Sequence, residues 1–203
     1  MIQLLIADSA PNEQSFGTRF GGRPLVAPRA FEWPHCTDCD LGLPMRFLGQ
    51  LAFLGDADDP KLALLFMCDH DGCDTWDADS GANRVLTVSD QSLDICEPPV
   101  SGALREPIYG ARIEPWPGDS YDDARSAWAE ANGGQRRRVL GQYGGAPSWL
   151  QGDDTPSCAC GKTMEFVAQL EEGPDSAAIM DFGGGCAYLF RCGDHAAKLL
   201  WQQ

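Results

Sequence analysis

Eight residues of this 203-residue chain have the side-chain types and the spacing that metal ions need. Each of two sets begins with a close cysteine pair and adds further ligands later in the chain. The first set is Cys36, Cys39, Cys68 and Cys73, and the second is Cys158, Cys160, Cys192 and His195. Because Zn²⁺ takes four thiolate or imidazole donors in a tetrahedron, and a short turn between two cysteines presents two of them, the sets predict two structural zinc sites.

Two alternatives stay open at the first set. His70 could replace Cys73 as the fourth ligand, since both follow Cys68 closely. The pair Cys36 and Cys39 could instead be a thiol redox pair, which would make the protein an enzyme. The acidic neighbours of this pair oppose the low thiolate pKa that such chemistry needs. The chain also contains no P-loop, H-E-x-x-H or G-x-S-x-G motif, so we expect a protein that is not an enzyme.

The segment around each cysteine pair occurs twice in the chain. Met45, Phe47, Gln50 and Leu51 match Met164, Phe166, Gln169 and Leu170, each at an offset of 119 positions. A glycine-rich turn precedes both copies, Phe20-Gly-Gly before the first and Tyr143-Gly-Gly before the second, and an L-F-x-C segment follows both copies. Four features repeated in one order indicate an internal duplication.

The hydrophobic pattern around these features predicts a mainly β (α+β) fold made of duplicated antiparallel units. In the first copy, Met45, Phe47, Gly49 and Leu51 alternate with Arg46, Leu48 and Gln50. This alternation predicts a half-buried strand with the first four residues on one face. Further strands are expected at 62–68, after an acidic turn at 56–60, and at 84–88, 177–182 and 187–192. Ser120 and Asp123 form an N-terminal capping pattern for one connecting helix near 120–132.

These elements predict a single domain, residues 1–203, made of two repeats. The first repeat spans residues 16–96 and the second spans 139–203. Between them, residues 97–138 form a proline-rich connection that ends in the helix and an arginine run. Residues 2–7 are compatible with either a strand or a helical turn.

The charge of the chain restricts its partners. Thirty acidic residues stand against 15 basic ones, which gives a formal net charge of −15. This balance disfavours nucleic acid and anionic membranes and favours a basic protein or peptide as the partner. The sequence has no export signal and no apolar run long enough to span a membrane, so a cytoplasmic location is expected, where cysteines stay reduced.

The ordered motifs [FY]-G-G-x-P, C-x₁₋₂-C, M-x-F-x-x-Q-L and L-F-x-C resemble those of the bacterial YwqG-like family. They are more distantly similar to the eukaryotic programmed cell death protein two family of ribosome-assembly chaperones. The resemblance covers most of residues 16–203, and the second half is the closer match to the eukaryotic proteins. His195 stands where those relatives carry a further cysteine.

This resemblance implies a protein that binds other proteins and is not an enzyme. The eukaryotic relatives hold a basic ribosomal protein, and some bacterial relatives occur together with toxins and immunity proteins. We therefore expect a zinc-stabilised binding module whose acidic surface captures a ribosomal protein or a toxin. It would act as a chaperone-like holdase or as an immunity protein.

Overall fold

A computed structural model of the protein describes residues 1–53, 61–89, 92–106, 108–193 and 196–203. The acidic turn predicted at 56–60 and the proposed ligand His195 lie outside these residues. The strands of the described part are β1 (Ile2–Asp8), β2 (Arg19–Phe20), β3 (Leu25–Val26), β4 (Arg46–Ala52), β5 (Lys61–Met67), β6 (Asn83–Ser89), β7 (Asp94–Ile95), β8 (Tyr109–Trp116), β9 (Val139–Tyr143), β10 (Glu165–Glu171), β11 (Cys186–Cys192) and β12 (Ala196–Gln202). The α-helix α1 (Tyr121–Ala131) and two 3₁₀ turns, Arg136–Arg138 and Ser176–Ala178, complete it.

Ten of these strands form one antiparallel sheet in the order β12-β11-β10-β9-β1-β8-β2-β4-β5-β6. The two end strands, β6 and β12, approach until Cα atoms of one lie within 8 Å of the other, so the sheet curls into a nearly closed barrel. Strands β3 and β7 form a separate two-stranded sheet. The predicted mainly β, antiparallel architecture is therefore confirmed. None of the described helices is both long enough and apolar enough to cross a membrane.

The barrel consists of two five-stranded units with the same strand order. From the centre to the edge, one runs β8-β2-β4-β5-β6 and the other β1-β9-β10-β11-β12, and the units join where β1 pairs with β8. The duplicated glutamines occupy matching places, because Gln50 pairs with Arg19 and Gln169 pairs with Gln142. The repeated motifs of the sequence therefore correspond to repeated positions in the sheet.

The prediction that Met45, Phe47 and Leu51 share one face is wrong, because strand β4 contains a bulge. The register of β4 against β5 shifts between Phe47 and Gly49. Met45 and Phe47 consequently pack in a cluster outside the barrel, whereas Leu48 and Leu51 pack inside it. The register of β10 against β11 shifts at the matching place, between Phe166 and Ala168. A bulge inserts one residue and so exchanges the two faces, which strict alternation cannot reveal.

Other local predictions have mixed outcomes. Residues 2–7 belong to a strand, and α1 begins after Ser120, whose hydroxyl accepts a hydrogen bond from the Asp123 N–H. The strand predicted at 177–182 is wrong, because a 3₁₀ turn capped by Asp175 lies there. Strand β8 lies at the centre of the sheet although the proline-rich pattern predicted an extended connection.

Each metal-binding segment lies over a small apolar cluster of its own, separate from the barrel interior. The cluster of the first unit contains Phe47 and Phe66, whose ring centroids are 5.2 Å apart. The cluster of the second unit contains Phe166 and Phe190, with ring centroids 5.7 Å apart. These matching aromatic pairs support the loops that carry the cysteines.

The pairing of β9 with β10 requires glycine at position 141. Gly141 has a φ of +140°, and a Cβ atom added there would lie 1.8 Å from the backbone oxygen of Gln169. Gly141→Ala should therefore lower the free energy of unfolding by about 3 kcal/mol, because strand separation adds to the cost of the backbone conformation. Urea unfolding would measure the change.

Gly134→Ala is the matched control for this substitution. Gly134 also has a positive φ, +77°, but nothing lies within 4 Å of an added Cβ. It should lose only about 1 kcal/mol. Equal losses for the two variants would contradict the close approach of β9 to β10.

Candidate metal centres

The cysteine pair of the first unit lies on a tight turn that precedes β4. The Cys36 N–H donates to the Leu43 carbonyl over 2.8 Å, and the Met45 N–H donates to the Pro34 carbonyl over 2.8 Å. These two bonds fix the turn against the start of the strand. The turn therefore holds Cys36 in a position set by the sheet.

The second unit repeats this arrangement. The Cys158 N–H donates to the Lys162 carbonyl over 2.8 Å, and the Met164 N–H donates to the Pro156 carbonyl over 3.0 Å. The spacing between the cysteine and the methionine is shorter here than in the first unit, and so is the spacing within the cysteine pair. The duplication thus extends to the hydrogen bonds of the two turns that carry the cysteine pairs.

A later thiol of each set lies at the end of a neighbouring strand, which is β5 beside β4 in the first unit and β11 beside β10 in the second. Cys68 directly follows β5, and Cys192 is the last residue of β11. In the first unit, the Cys68 N–H donates to the Ala82 carbonyl over 2.7 Å, which closes the base of a long loop. We call residues 68–82 the metal loop, because it also carries Cys73.

The four thiols of the first set form one compact group. Their Sγ atoms all lie within 4.8 Å of one another. The Cys36 and Cys73 Sγ atoms are 3.8 Å apart, and those of Cys73 and Cys68 are 3.6 Å apart. A tetrahedron with metal–sulfur bonds of about 2.3 Å has edges of about 3.8 Å. The spacing therefore suits one metal ion at the centre, and all the cysteines are free thiols.

The structure favours Cys73 over His70 as the fourth ligand. Cys73 belongs to the compact group, whereas His70 does not. The Nδ1 atom of His70 lies 3.9 Å from the Cys73 Sγ, so the imidazole is a neighbour of the cluster. The four predicted residues Cys36, Cys39, Cys68 and Cys73 are thus brought together as one candidate centre.

Two thiols of this group, those of Cys68 and Cys73, ionise less readily than a free cysteine. Burial raises the pKa of Cys68 to about 11, and burial and the adjacent Cys68 thiol raise the pKa of Cys73 further. The pKa of Cys39 is lowered although burial opposes its ionisation, because Cys36 and the Leu41 N–H hydrogen-bond to it. Negative charges in close contact repel one another, so a bound cation is what would allow four thiolates here.

The second set supplies three described thiols. The Sγ atoms of Cys158, Cys160 and Cys192 lie within 4.8 Å of one another, with Cys160 and Cys192 3.6 Å apart. The Lys162 N–H lowers the pKa of Cys160, while the thiols of Cys158 and Cys160 raise the pKa of Cys192 to about 11. These residues also form a group that could hold a metal ion. The fourth ligand, His195, stays a prediction because it lies outside the described residues.

The metal loop has a second role that the sequence did not reveal. Along the chain the metal loop joins β5 to β6, but it also contacts β12. It therefore bridges the two end strands of the sheet. The Trp201 N–H donates to the Trp76 carbonyl over 3.2 Å, and the Lys198 Nζ lies 2.5 Å from Asp79 Oδ1. The chain between β11 and β12 is much shorter than that between β5 and β6, so the second unit has no counterpart of the metal loop.

Comparisons with known proteins add no family assignment. Neither a scan against protein-family models nor a search of the curated proteins finds a match. The resemblance to YwqG-like proteins stays a prediction from the motifs.

Metal content can distinguish Cys73 from His70 as a ligand. The Cys73→Ser variant should lose the ion of the first centre at a chelator concentration at which the unaltered protein keeps it, because one of four thiolates is lost. His70→Ala should keep its ion, because the imidazole lies outside the compact group. Native mass spectrometry of the two variants at equal chelator concentration would measure this. Loss of the ion in His70→Ala alone would contradict the assignment.

Proposed function

We propose that this protein is a non-catalytic, zinc-stabilised module that captures a basic polypeptide on an acidic surface. The observation that carries the proposal is a compact four-thiol centre surrounded by aspartates. The centre would fix the shape of this surface, and the aspartates would attract the partner.

The donor set supports zinc as the ion of the first centre. Thiolate ligands select soft or borderline cations, and four sulfur atoms at tetrahedral spacing are typical of zinc or of iron in an Fe–S site. Zinc has no preference that opposes a tetrahedron, and four protein ligands leave no position for water or substrate. These properties support a structural role for the metal rather than a catalytic one.

The acidic rim is the set of seven aspartates carried by residues 36–40 and by the metal loop, two segments without lysine or arginine. Its members are Asp38, Asp40, Asp69, Asp71, Asp74, Asp77 and Asp79. Asp69 pairs with Arg46, and Asp79 pairs with Lys198. For Asp40 and Asp71 the structure shows no ion pair with a described residue. Zn²⁺ with four thiolates would add two further negative charges, so this region would attract a cationic partner strongly.

Exposed apolar side chains lie among the aspartates. Leu41 is 61% exposed, Leu43 is 38% exposed and Trp76 is 49% exposed. Apolar side chains within a polar rim are the usual composition of a protein-binding surface. The combination therefore favours a polypeptide with basic and apolar residues over a simple cation.

This surface suits both partners that the sequence analysis expects. A basic ribosomal protein would be held as by a chaperone, and a basic toxin would be neutralised as by an immunity protein. Both roles need stable reduced thiols, in keeping with the proposed cytoplasmic location.

The alternative of a redox enzyme that uses Cys36 and Cys39 receives less support. Cys36 is only 2% exposed, and both thiols share their cluster with Cys68 and Cys73. A bound metal would leave no free thiolate for exchange with a disulfide. Catalytic reduction of a small disulfide by the zinc-loaded protein would contradict the proposed function.

The acidic rim can be tested with a ten-residue oligolysine probe. The double variant Asp40→Asn/Asp71→Asn should bind the probe about tenfold more weakly at low salt, because it removes two exposed carboxylates that form no ion pair within the described part of the chain. Fluorescence anisotropy of the labelled probe would measure the affinity at several salt concentrations. Binding by the unaltered protein should weaken as salt rises.

The matched control is Asp119→Asn/Glu130→Gln, which removes two exposed carboxylates outside the rim. Because both double variants change the net charge equally, the control should change the affinity much less. Equal weakening in both would mean that only the overall charge matters. Binding that is insensitive to salt would argue against capture of a basic partner.

A further inference from the structure

The metal loop holds an exposed tryptophan beside a partly buried one. Trp76 is 49% exposed, although an indole ring is usually largely buried in a folded protein. Trp201, near the end of β12, is partly buried and packs against the barrel core. The Trp201 N–H donates to the Trp76 carbonyl over 3.2 Å, and the Trp201 indole N–H donates to the Thr75 hydroxyl over 3.3 Å. These bonds fix the loop backbone beside Trp201 without using the Trp76 side chain.

A cavity of about 310 Å³ lies between these two tryptophans. Three glutamines, Gln151, Gln202 and Gln203, complete its lining. None of these five lining residues is charged, so the lining consists of aromatic rings and amide groups. We call this space the tryptophan cavity.

Hydrogen bonds fix the glutamine wall and leave an acceptor in it. The Gln202 Oε1 accepts from the Gln151 N–H over 3.0 Å, and the Gln202 Nε2 donates to the Gly152 carbonyl over 2.9 Å. The Gln151 Nε2 donates to the Gln203 carbonyl over 2.9 Å. The Gln151 Oε1 accepts no hydrogen bond from a described residue. It is therefore available to a donor group of a ligand.

Carboxylates stand close to the tryptophan cavity along the chain. Asp74 lies two residues before Trp76, and Asp154 lies three residues after Gln151. Both aspartates are exposed, and neither forms an ion pair with a described residue. A negative potential around an indole face and an amide oxygen favours a cationic group with hydrogen-bond donors.

We propose that the tryptophan cavity binds an arginine side chain of the basic partner. This inference rests on the proposed function and specifies which residue of the partner is recognised. A guanidinium is planar, so it can stack on the exposed Trp76 ring while its N–H groups donate to the Gln151 Oε1. The ammonium of lysine is a compact and strongly hydrated charge, which suits an aromatic wall less well.

The test uses a ten-residue peptide of glycine and serine with blocked termini and one central arginine. A second probe carries citrulline instead, which has nearly the same shape but no charge, and a third carries lysine. The arginine probe should shift the NMR signal of the Trp76 indole N–H and should bind about fivefold more tightly than the citrulline probe. The lysine probe should bind more weakly than the arginine probe.

The Trp76→Leu variant should bind the arginine probe no better than the citrulline probe, because the aromatic face is lost. The variant should keep its fold, since the metal loop contacts Trp201 through the Trp76 backbone carbonyl. Leu41→Ala is the control. Leu41 is 61% exposed and does not line the tryptophan cavity, so this variant should bind the arginine probe normally.

Equal affinity for the arginine and citrulline probes would overturn the inference, because the cavity would then take a neutral ligand. Lysine binding as tight as arginine binding would overturn it too, since the guanidinium would not be recognised. In either case, salt-dependent binding of the oligolysine probe would leave the proposed function standing. Failure of both the arginine probe and the oligolysine probe to bind would overturn both proposals.

Discussion

Four thiols from distant parts of the chain lie within the dimensions of one tetrahedron. The arrangement of the turn before β4, the β4–β5 pair and the metal loop in the first unit satisfies this constraint. Cys36 and Cys39 come from the turn before β4, Cys68 from the end of β5, and Cys73 from the metal loop. The pairing of β4 with β5 brings the first three together. Only Cys73 depends on the loop itself, so a bound ion would fix the loop to the sheet.

The metal loop links this centre to the rest of the molecule. It carries most of the acidic rim, and through Trp76 and Asp79 it contacts β12 in the other unit. A metal ion at the first centre would therefore shape the proposed binding surface and stabilise the contact of the metal loop with β12. The second centre has no comparable loop, and its role would be confined to its own small apolar cluster.

The sequence predicted those features that depend on residue type and short spacing. The cysteine sets, the duplication, the capped helix and the antiparallel strands all follow from local patterns. The face predicted for β4 was wrong, because one inserted residue at its bulge reverses the alternation, and β10 has a bulge at the matching place. Strand β8 was missed because the prolines in and around it resemble a connection, although its one proline, Pro115, lies near the strand end, where a missing donor is tolerated. The approach of β6 to β12 depends on contacts between residues more than 100 positions apart, which no local pattern encodes.

The central proposal is that two thiol-based zinc centres stabilise this fold. Native mass spectrometry of the reduced protein, purified without chelator, tests it most directly when circular dichroism is followed during chelator titration. The account predicts two zinc ions per chain, and loss of the folded signal as they are removed. A protein that carries no metal and keeps its fold would contradict the account and would return Cys36 and Cys39 to consideration as a redox pair.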